Sequence, residues 1–388
     1  MRIESIDTTD PRNVVRGLRG AVLGAGPAIA LGAAADLRAD SVVAPGTAVV
    51  LTTSGSTGVP KSVVLSRSAL TSSALATIDH LGAGSWLLAL PAGYVAGVQV
   101  VVRSLLAGRE PAILAGSFTP QTFAAAAGSM AASVGGQRLA TFTSLVPAQL
   151  QTLVAAEEAG QDTRIGSFEA ILVGGQALSA ALAERAAAVG ARIVRTYGST
   201  ETSGGCVYDG RPLRDVAVRV RDGEVQLSGP MLADGYLGDS ALTDSAFIRD
   251  ADGVRWYRTG DAGAFDGLLR ITGRLDNVIV SGGINVSLDR VEQVVRTVPG
   301  LDAAIVVAVP DPRWGEASAI VVDRGDLRTH VLDEARQAVA AALGAPARPR
   351  DLVFVDAMPL LPSGKPDRRA ARAHAVDRGG STGDGGAA

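Results

Sequence analysis

A chain of 388 residues, 47% hydrophobic and 19% charged, can bury a sizeable core and divide into two or three domains. Its net charge of −3 excludes the cationic face that nucleic acid or an anionic membrane surface would need. The lone Cys206 excludes a disulfide framework or a thiolate metal centre, and His80, His330 and His374 have no ligand spacing. No apolar signal core follows Met1, and no run of about eighteen apolar residues exists to cross a bilayer. The expectation is a cytoplasmic protein without a membrane span.

In chain order, residues 13–37 are predicted as a helix with Val14, Val15, Leu18 and Val22 on one face, broken by glycine-rich sequence. Residues 48–51 are predicted as a short strand running into the polar loop 53–61. A helix capped by Ser66 or Ser68 follows, with Leu70, Ala74, Ile78 and Leu81 recurring at helical spacing and Gly82 as its stop. Strands over 86–90, 112–114, 139–143, 170–173 and 192–196 then alternate with helices over 98–106, 147–159 and 179–189, and another helix starts at Thr119-Pro120. This rhythm predicts an α/β fold with helix-covered, mostly parallel sheets. From about 211 to 274 the period shortens to two, which predicts a small antiparallel β-subdomain. Past that point a helix over 287–298, strands over 303–309 and 318–323 and a helix over 330–343 make a compact α+β module. The expected organisation is a core domain 1–275, a mobile α+β domain 276–377 hinged to it, and a flexible glycine-rich tail 378–388.

The loop Thr53-Ser54-Gly55-Ser56-Thr57-Gly58-Val59-Pro60-Lys61 combines glycines, hydroxyls and an ammonium, groups that can surround a polyanion. It lacks Walker A spacing, and a polar surface turn would look similar. Lysine use favours the functional reading. Only Lys61 and Lys365 are lysine among 36 basic residues, so each marks a place that calls for a compact ammonium. Two more polar loops, Gly174-Gly175-Gln176 and Tyr197-Gly198-Ser199-Thr200-Glu201-Thr202, follow other strands. In α/β sheets, ligands collect at those strand ends. Tyr197 can stack on a base, Thr200 can donate to phosphate and Glu201 can ligate Mg²⁺, although a tight turn explains the same residues. Asp261 suits a ribose diol or a hairpin turn. Arg274 can bind phosphate or ribose, Asp276 can act as a hinge, and Gly282-Gly283 permits close backbone approach. Lys365 sits in a Pro/Gly-framed loop that can deliver charge to an oxyanion.

Together, in this order and spacing, these segments resemble the adenylate-forming superfamily of acyl-CoA synthetases, luciferases and nonribosomal adenylation domains. The resemblance covers Thr47 to about Arg372. Residues 53–61 match that family's phosphate loop, Tyr197 to Glu201 its aromatic-Gly-x-Thr-Glu motif, and Tyr257 to Asp261 its Tyr-x-Thr-Gly-Asp motif. Gly273 to Asp276 match Gly-Arg-x-Asp at the hinge, and Lys365 matches the catalytic lysine. The chain begins its phosphate loop early, so part of the usual N-terminal subdomain is missing. That feature, the segment Leu90 to Gln99, Thr143-Ser144-Leu145-Val146-Pro147 and Gly204-Gly205-Cys206-Val207-Tyr208 are most similar to the compact actinobacterial o-succinylbenzoate–CoA ligases of menaquinone biosynthesis.

The resemblance implies ATP, Mg²⁺ and coenzyme A as partners in a two-step ligase reaction. Thr53, Ser54, Gly55, Ser56, Thr57, Gly58 and Lys61 would hold phosphates. Gly174, Gly175 and Gln176 would line adenine, with Tyr197 and Gly198 beside it. Thr200 would touch the α-phosphate, Glu201 would bind Mg²⁺, and Asp261 with Arg274 would hold ribose. Lys365 would drive the first step, Asp276 would be the hinge, and Gly282 and Gly283 would line the CoA tunnel. Tyr94, Gly97, Gln99, Arg103, Thr141, Thr143, Ser144 and Ser199 are candidates for the acyl site. Relatives of this kind are often homodimers. Another small acyl-CoA synthetase, a carrier-loading adenylation enzyme, or a nucleotide-binding protein without turnover remain the alternatives.

Overall fold

The computed structural model describes residues 1–32, 42–53, 60–130, 133–323 and 330–379. The first sheet has five strands in the order Ile3–Ser5, Ala28–Leu31, Thr47–Thr53, Lys61–Ser66 and Gly235–Tyr236. Its first three strands run parallel, and Lys61–Ser66 turns back antiparallel to Thr47–Thr53, with Thr53 opposite Lys61. The polar loop is therefore the connection of a hairpin, and the strand Lys61–Ser66 separates it from the following helix. Val63 and Leu65 are fully buried at alternate positions of that strand, the period-two pattern of a pleated ladder.

The helix expected over 13–37 is shorter. It spans Pro11–Leu23, with Asp10 accepting from the Arg12 backbone N–H at its start and Gly24 at φ 86 ending it. A left-handed residue cannot continue a right-handed helix, so Ala28–Leu31 emerges as a wholly buried strand instead.

The second sheet has seven strands, in the order Arg211–Pro212, Gly204–Tyr208, Ile193–Ser199, Ala170–Val173, Ala140–Leu145, Gly84–Leu88 and Ala112–Ile113. From Ile193–Ser199 onward the pairing is parallel, as the sequence rhythm predicts. The other two strands are antiparallel. A Cβ on Gly84 would come within 2.3 Å of the Ala140 carbonyl oxygen, so only glycine allows that strand its close approach. Helices Arg67–Leu81 and Val95–Leu106 pack on this sheet and bury Leu70, Ala74, Val98, Val101 and Val102 in the main core. A third, wholly antiparallel sheet contains Ala217–Arg221, Glu224–Ser228, Arg255–Phe265, Phe247–Arg249 and Leu269–Arg274.

A separate pair of hydrophobic cores lies between Ile279 and Ala375. It is built on the hairpin Val278–Ser281 and Ile284–Ser287, the strands Ile305–Asp311, Gly315–Asp323 and Asp351–Val355, and the helices Leu288–Val295, Val331–Leu343 and Arg368–Gly379. The hairpin, the strand Asp351–Val355 and the last helix are additions to the sequence reading. Residues 380–388 of the expected tail lie outside the described residues. Among the described residues no helix is long and apolar enough to cross a membrane.

Glu292 clamps this smaller unit. Its carboxylate accepts two bonds from the Arg368 guanidinium (2.8 and 2.9 Å), one from the Val306 backbone N–H, and faces Arg296 at 2.9 Å. Breaking a buried ion pair from one side leaves uncompensated charge, at a cost of about 3 kcal/mol or more. Glu292→Ala is therefore expected to lower the unfolding free energy read from urea denaturation of the C-terminal unit by that amount. A shift under about 1 kcal/mol, within the range of exposed pairs, would contradict the clamp.

Candidate active site

Three strand ends and one loop from the smaller unit converge on the carboxyl edges of the first two sheets. Tyr236, paired in register with Val63, lies beside the strand that Lys61 opens. The Lys61 ammonium stands 5.7 Å over the Tyr236 ring, a cation–π distance. The Tyr236 hydroxyl donates to Glu201 Oε1 at 2.9 Å. Glu201 sits on the short 3₁₀ turn Thr200–Thr202. Thr202 locks that turn, since its Oγ1 accepts from the Ser199 N–H (2.8 Å) and donates to the Gly204 carbonyl (2.7 Å).

On the next strand, the Tyr197 hydroxyl donates to Asp261 Oδ2 at 2.5 Å. Asp261 also faces Arg274 Nη1 at 3.2 Å, and Arg274 grips Asp276 through two 3.0 Å bonds. Burial pushes the Asp261 carboxyl up, against the hydrogen bonds from Tyr197 and Arg274 that pull it down. The Arg274 fork holds Asp276 below the usual carboxylate range, with Lys61 adding a smaller pull. Asp276 thus lies within electrostatic reach of Lys61 as well as at the junction of the two units.

Lys365 arrives from the smaller unit on a loop tied by Leu361 N–H to the Lys365 carbonyl (2.7 Å) and Gly364 N–H to the Leu361 carbonyl (2.8 Å). Gly364 presses against Val146, and the lysine stem crosses Gly175, where a Cβ would lie 3.0 Å from Cε. Glycine at 175 therefore makes room for the lysine, and its φ of 82 is also one that side chains avoid. Burial pulls the Lys365 ammonium below the ordinary lysine value, and the nearby Glu201 carboxylate partly restores it. Both lysines of the chain thus meet one carboxylate-bearing crevice. The neighbouring Gln176 has its amide Nε2 buried and unpartnered among the described residues.

The expected acyl side is built on the helix Val95–Leu106, which Tyr94 precedes. Gly97 is pressed onto the Pro91 carbonyl, where a Cβ would fall at 2.4 Å. Gln99 is buried against Gly204, donating from Nε2 to the Leu70 carbonyl at 3.3 Å while its Oε1 has no partner. Arg103, one turn on, is 3% exposed. Its guanidinium lies 5.0 Å over the Trp86 ring, donates one long bond (3.3 Å) to the Tyr208 hydroxyl, and leaves Nε unpartnered. Burial accordingly lowers its affinity for the proton.

Some candidates are engaged elsewhere. Thr143 donates to the Leu87 carbonyl inside the sheet and Thr141 to the Ser167 carbonyl on its outer side. Ser144 and Ser199 sit at the strand ends bordering the crevice. Gly174 is glycine because a Cβ would strike Thr196 Oγ1, and Gly198 because one would strike the Gly204 carbonyl. Gly282 packs under the Trp314 ring of its own unit, next to the exposed Gly283. Ser54, Gly55, Ser56, Thr57 and Gly58 lie outside the described residues. Cys206 is buried, its thiol pushed up to about 12, which keeps it out of chemistry.

Tyr236 escaped the sequence reading, Tyr208 entered it only within a matched segment and without a role, and Asp289 escaped it as well. The first two carried a signal that lysine use had already taught: the chain has five tyrosines, and all of them line this crevice or its acyl side.

The comparisons with known proteins agree with this geometry. Residues 30–237 match the model of the AMP-binding enzyme family, and residues 290–365 match the AMP-binding enzyme C-terminal domain. A probable 2-succinylbenzoate–CoA ligase of Mycobacterium tuberculosis is 38% identical over 86% of both chains. The amide bond synthetase McbA of Marinactinospora thermotolerans superposes with a TM-score of 0.71 at 28% identity, over 90% of this chain and 76% of its own. The R195K form of E. coli MenE with bound OSB-AMS gives 0.68 at 26%, over 87% and 70%. With two family models in register with the two structural units and a relative matched nearly end to end, the chain belongs to the AMP-binding enzyme family.

Proposed function

We propose that this chain is an AMP-forming acid–CoA ligase whose acid is 2-succinylbenzoate. In the first step a carboxylate oxygen attacks the α-phosphorus of ATP and pyrophosphate leaves. In the second the thiolate sulfur of CoA attacks the acyl carbon, and AMP leaves. Lys61 and the loop 53–58 are assigned to the departing pyrophosphate. Thr200 is assigned to the α-phosphate, Asp261 and Arg274 to the ribose, and Gly174, Gly175, Gln176, Tyr197 and Gly198 to the adenine. Lys365 is assigned to the charge that builds between carboxylate and α-phosphate, where a desolvated ammonium acts most strongly. Glu201 fits Mg²⁺: one oxygen is occupied by Tyr236, and the other has no hydrogen bond among the described residues. The metal would neutralise phosphate charge. Asp276 is assigned as the hinge about which the smaller unit turns for the second step, bringing Gly282-Gly283 to the CoA thiol. Exposed Val280, Ile284 and Trp314 supply an apolar face for that second docking. Such an enzyme draws ATP and CoA from the cytoplasm, where we place it.

Arg103 is the observation that carries the choice of acid. A buried guanidinium with one long hydrogen bond lacks its counter-ion, and a substrate with a second, unreacting carboxylate would supply one. A simple fatty or benzoic acid has no such group. The relatives named for 2-succinylbenzoate favour the same acid.

Two outcomes are expected. Arg103→Met, which keeps most of the apolar stem over Trp86, should raise KM for 2-succinylbenzoate at least about 30-fold. KM for ATP should change less than about twofold. Equal loss on both substrates, or brisk wild-type turnover of benzoic acid but none of 2-succinylbenzoate, would remove the assignment.

Lys365→Ala should abolish pyrophosphate release yet leave CoA acylation from pre-formed acyl-adenylate largely intact. The wild-type pH profile adds a signed test. The first step needs the ammonium, and burial favours the neutral amine, so kcat/KM for ATP should fall as pH rises through a value below about 10.4. The second step, with Lys365 withdrawn, should lack that alkaline limb.

A further inference from the structure

Asp289, in the first turn of the helix Leu288–Val295, binds both sides of the proposed hinge with one carboxylate. Its Oδ2 accepts from the backbone N–H of Arg274 at 2.7 Å, and its Oδ1 accepts from the Asn277 amide at 2.8 Å. Arg274 ends the last strand of the antiparallel β-sheet, and Asn277 opens the smaller unit, so Asp276 is straddled. Asp289 also faces Arg368 at 4.0 Å, three residues past Lys365 on the same segment. Its side chain is 18% exposed, so water competes weakly for these bonds. Gly273 lacks a side chain at this contact: a Cβ there would lie 2.8 Å from the Asp289 Cβ.

We propose that Asp289 is a positioning residue for the first half-reaction, a clasp that holds the smaller unit in the orientation that delivers Lys365. The inference rests on the two-step, hinged reading above. Asn277 and Asp289 belong to the same unit and turn together. Arg274 belongs to the other, so of these two bonds of Asp289, turning about Asp276 must break only the one from Arg274. A hydrogen bond to a charged acceptor is lost from the first orientation alone, and the balance between orientations then shifts by about tenfold. Arg274 adds to the asymmetry, because its side chain ties Asp276 to Asp261 and so couples the clasp to the ribose site.

Asp289→Ala tests this, with Asn277→Ala as its partner. Asp289→Ala should slow pyrophosphate release about tenfold and leave acylation of CoA from pre-formed acyl-adenylate unchanged or faster. Asn277→Ala removes the bond that does not cross between units and should leave both rates within about twofold. A second readout needs no substrate. Tryptic cleavage after Arg274, followed by the mass of the fragment 1–274, should speed up about tenfold in Asp289→Ala at unchanged thermal midpoint. Equal slowing of both half-reactions, or hinge cleavage at the wild-type rate in the folded variant, overturns the clasp. If Asp289→Ala does not fold, Asp289→Asn serves, and an unchanged cleavage rate there overturns it likewise. Absence of any carboxylate-dependent pyrophosphate release in the wild type would sink the ligase reading instead, and the cleavage rates would still decide whether Asp289 holds the hinge.

Discussion

The structure depends on one expensive placement: the Lys365 side chain, carried on a separate hydrophobic core, reaches over Gly175 into the crevice of another, where its ammonium is partly desolvated. Desolvation works against it, and the Glu201 carboxylate returns only part of the loss. The same burial explains why position 175 is glycine and why the loop around Lys365 is closed by its own backbone hydrogen bonds. An ammonium in low dielectric acts on a developing oxyanion far more strongly than one in water, so the unfavourable placement and the catalytic benefit have one cause.

Around that charge, tyrosine hydroxyls hold the acids. Tyr197 holds Asp261 and Tyr236 holds Glu201. Each ring contributes apolar area while its hydroxyl donates to a carboxylate, which keeps the acid oriented without introducing another charge. Arg274 then connects Asp261 to Asp276, making the proposed ribose site and hinge parts of one hydrogen-bonded chain. Shared donors of this kind are where coupling energies depart from additivity.

Much of this was legible from the residues. The alternating strands and helices gave the seven-stranded sheet, and the rarity of lysine pointed to both Lys61 and Lys365. What failed had local causes. The glycine-rich stretch after Leu23 hid a buried strand, because Ala28-Ile29-Ala30-Leu31 has no period to distinguish it from a helix. The strand Lys61–Ser66 was hidden by its own motif, because the polar loop runs directly into the lysine that opens the strand. Thr143 looked like a lining hydroxyl but is consumed by the Leu87 carbonyl, a pairing set by strand register. Asp289 could not be found at all from local pattern. It is one acid in an amphipathic helix start, and its meaning lies in two donors 12 and 15 residues away.

Arg103 and Lys365 pose the same physical question at opposite ends of the site. Each is a cation whose desolvation is only partly compensated, and on the proposed reading each meets a substrate anion. On the proposed hinged reading Lys365 leaves with its unit, so its desolvation is relieved when the smaller unit turns. Arg103 cannot move in that way: it is fixed in the helix Val95–Leu106, stacked on Trp86 and tied to Tyr208. Its lack of a partner therefore persists through the whole cycle unless the acid itself provides one. A fixed, unpaired cation rejects ligands without a matching anion, because they would bury the charge further and return nothing. On the proposed reading, the mobile cation serves the chemistry of the step and the fixed one the choice of acid.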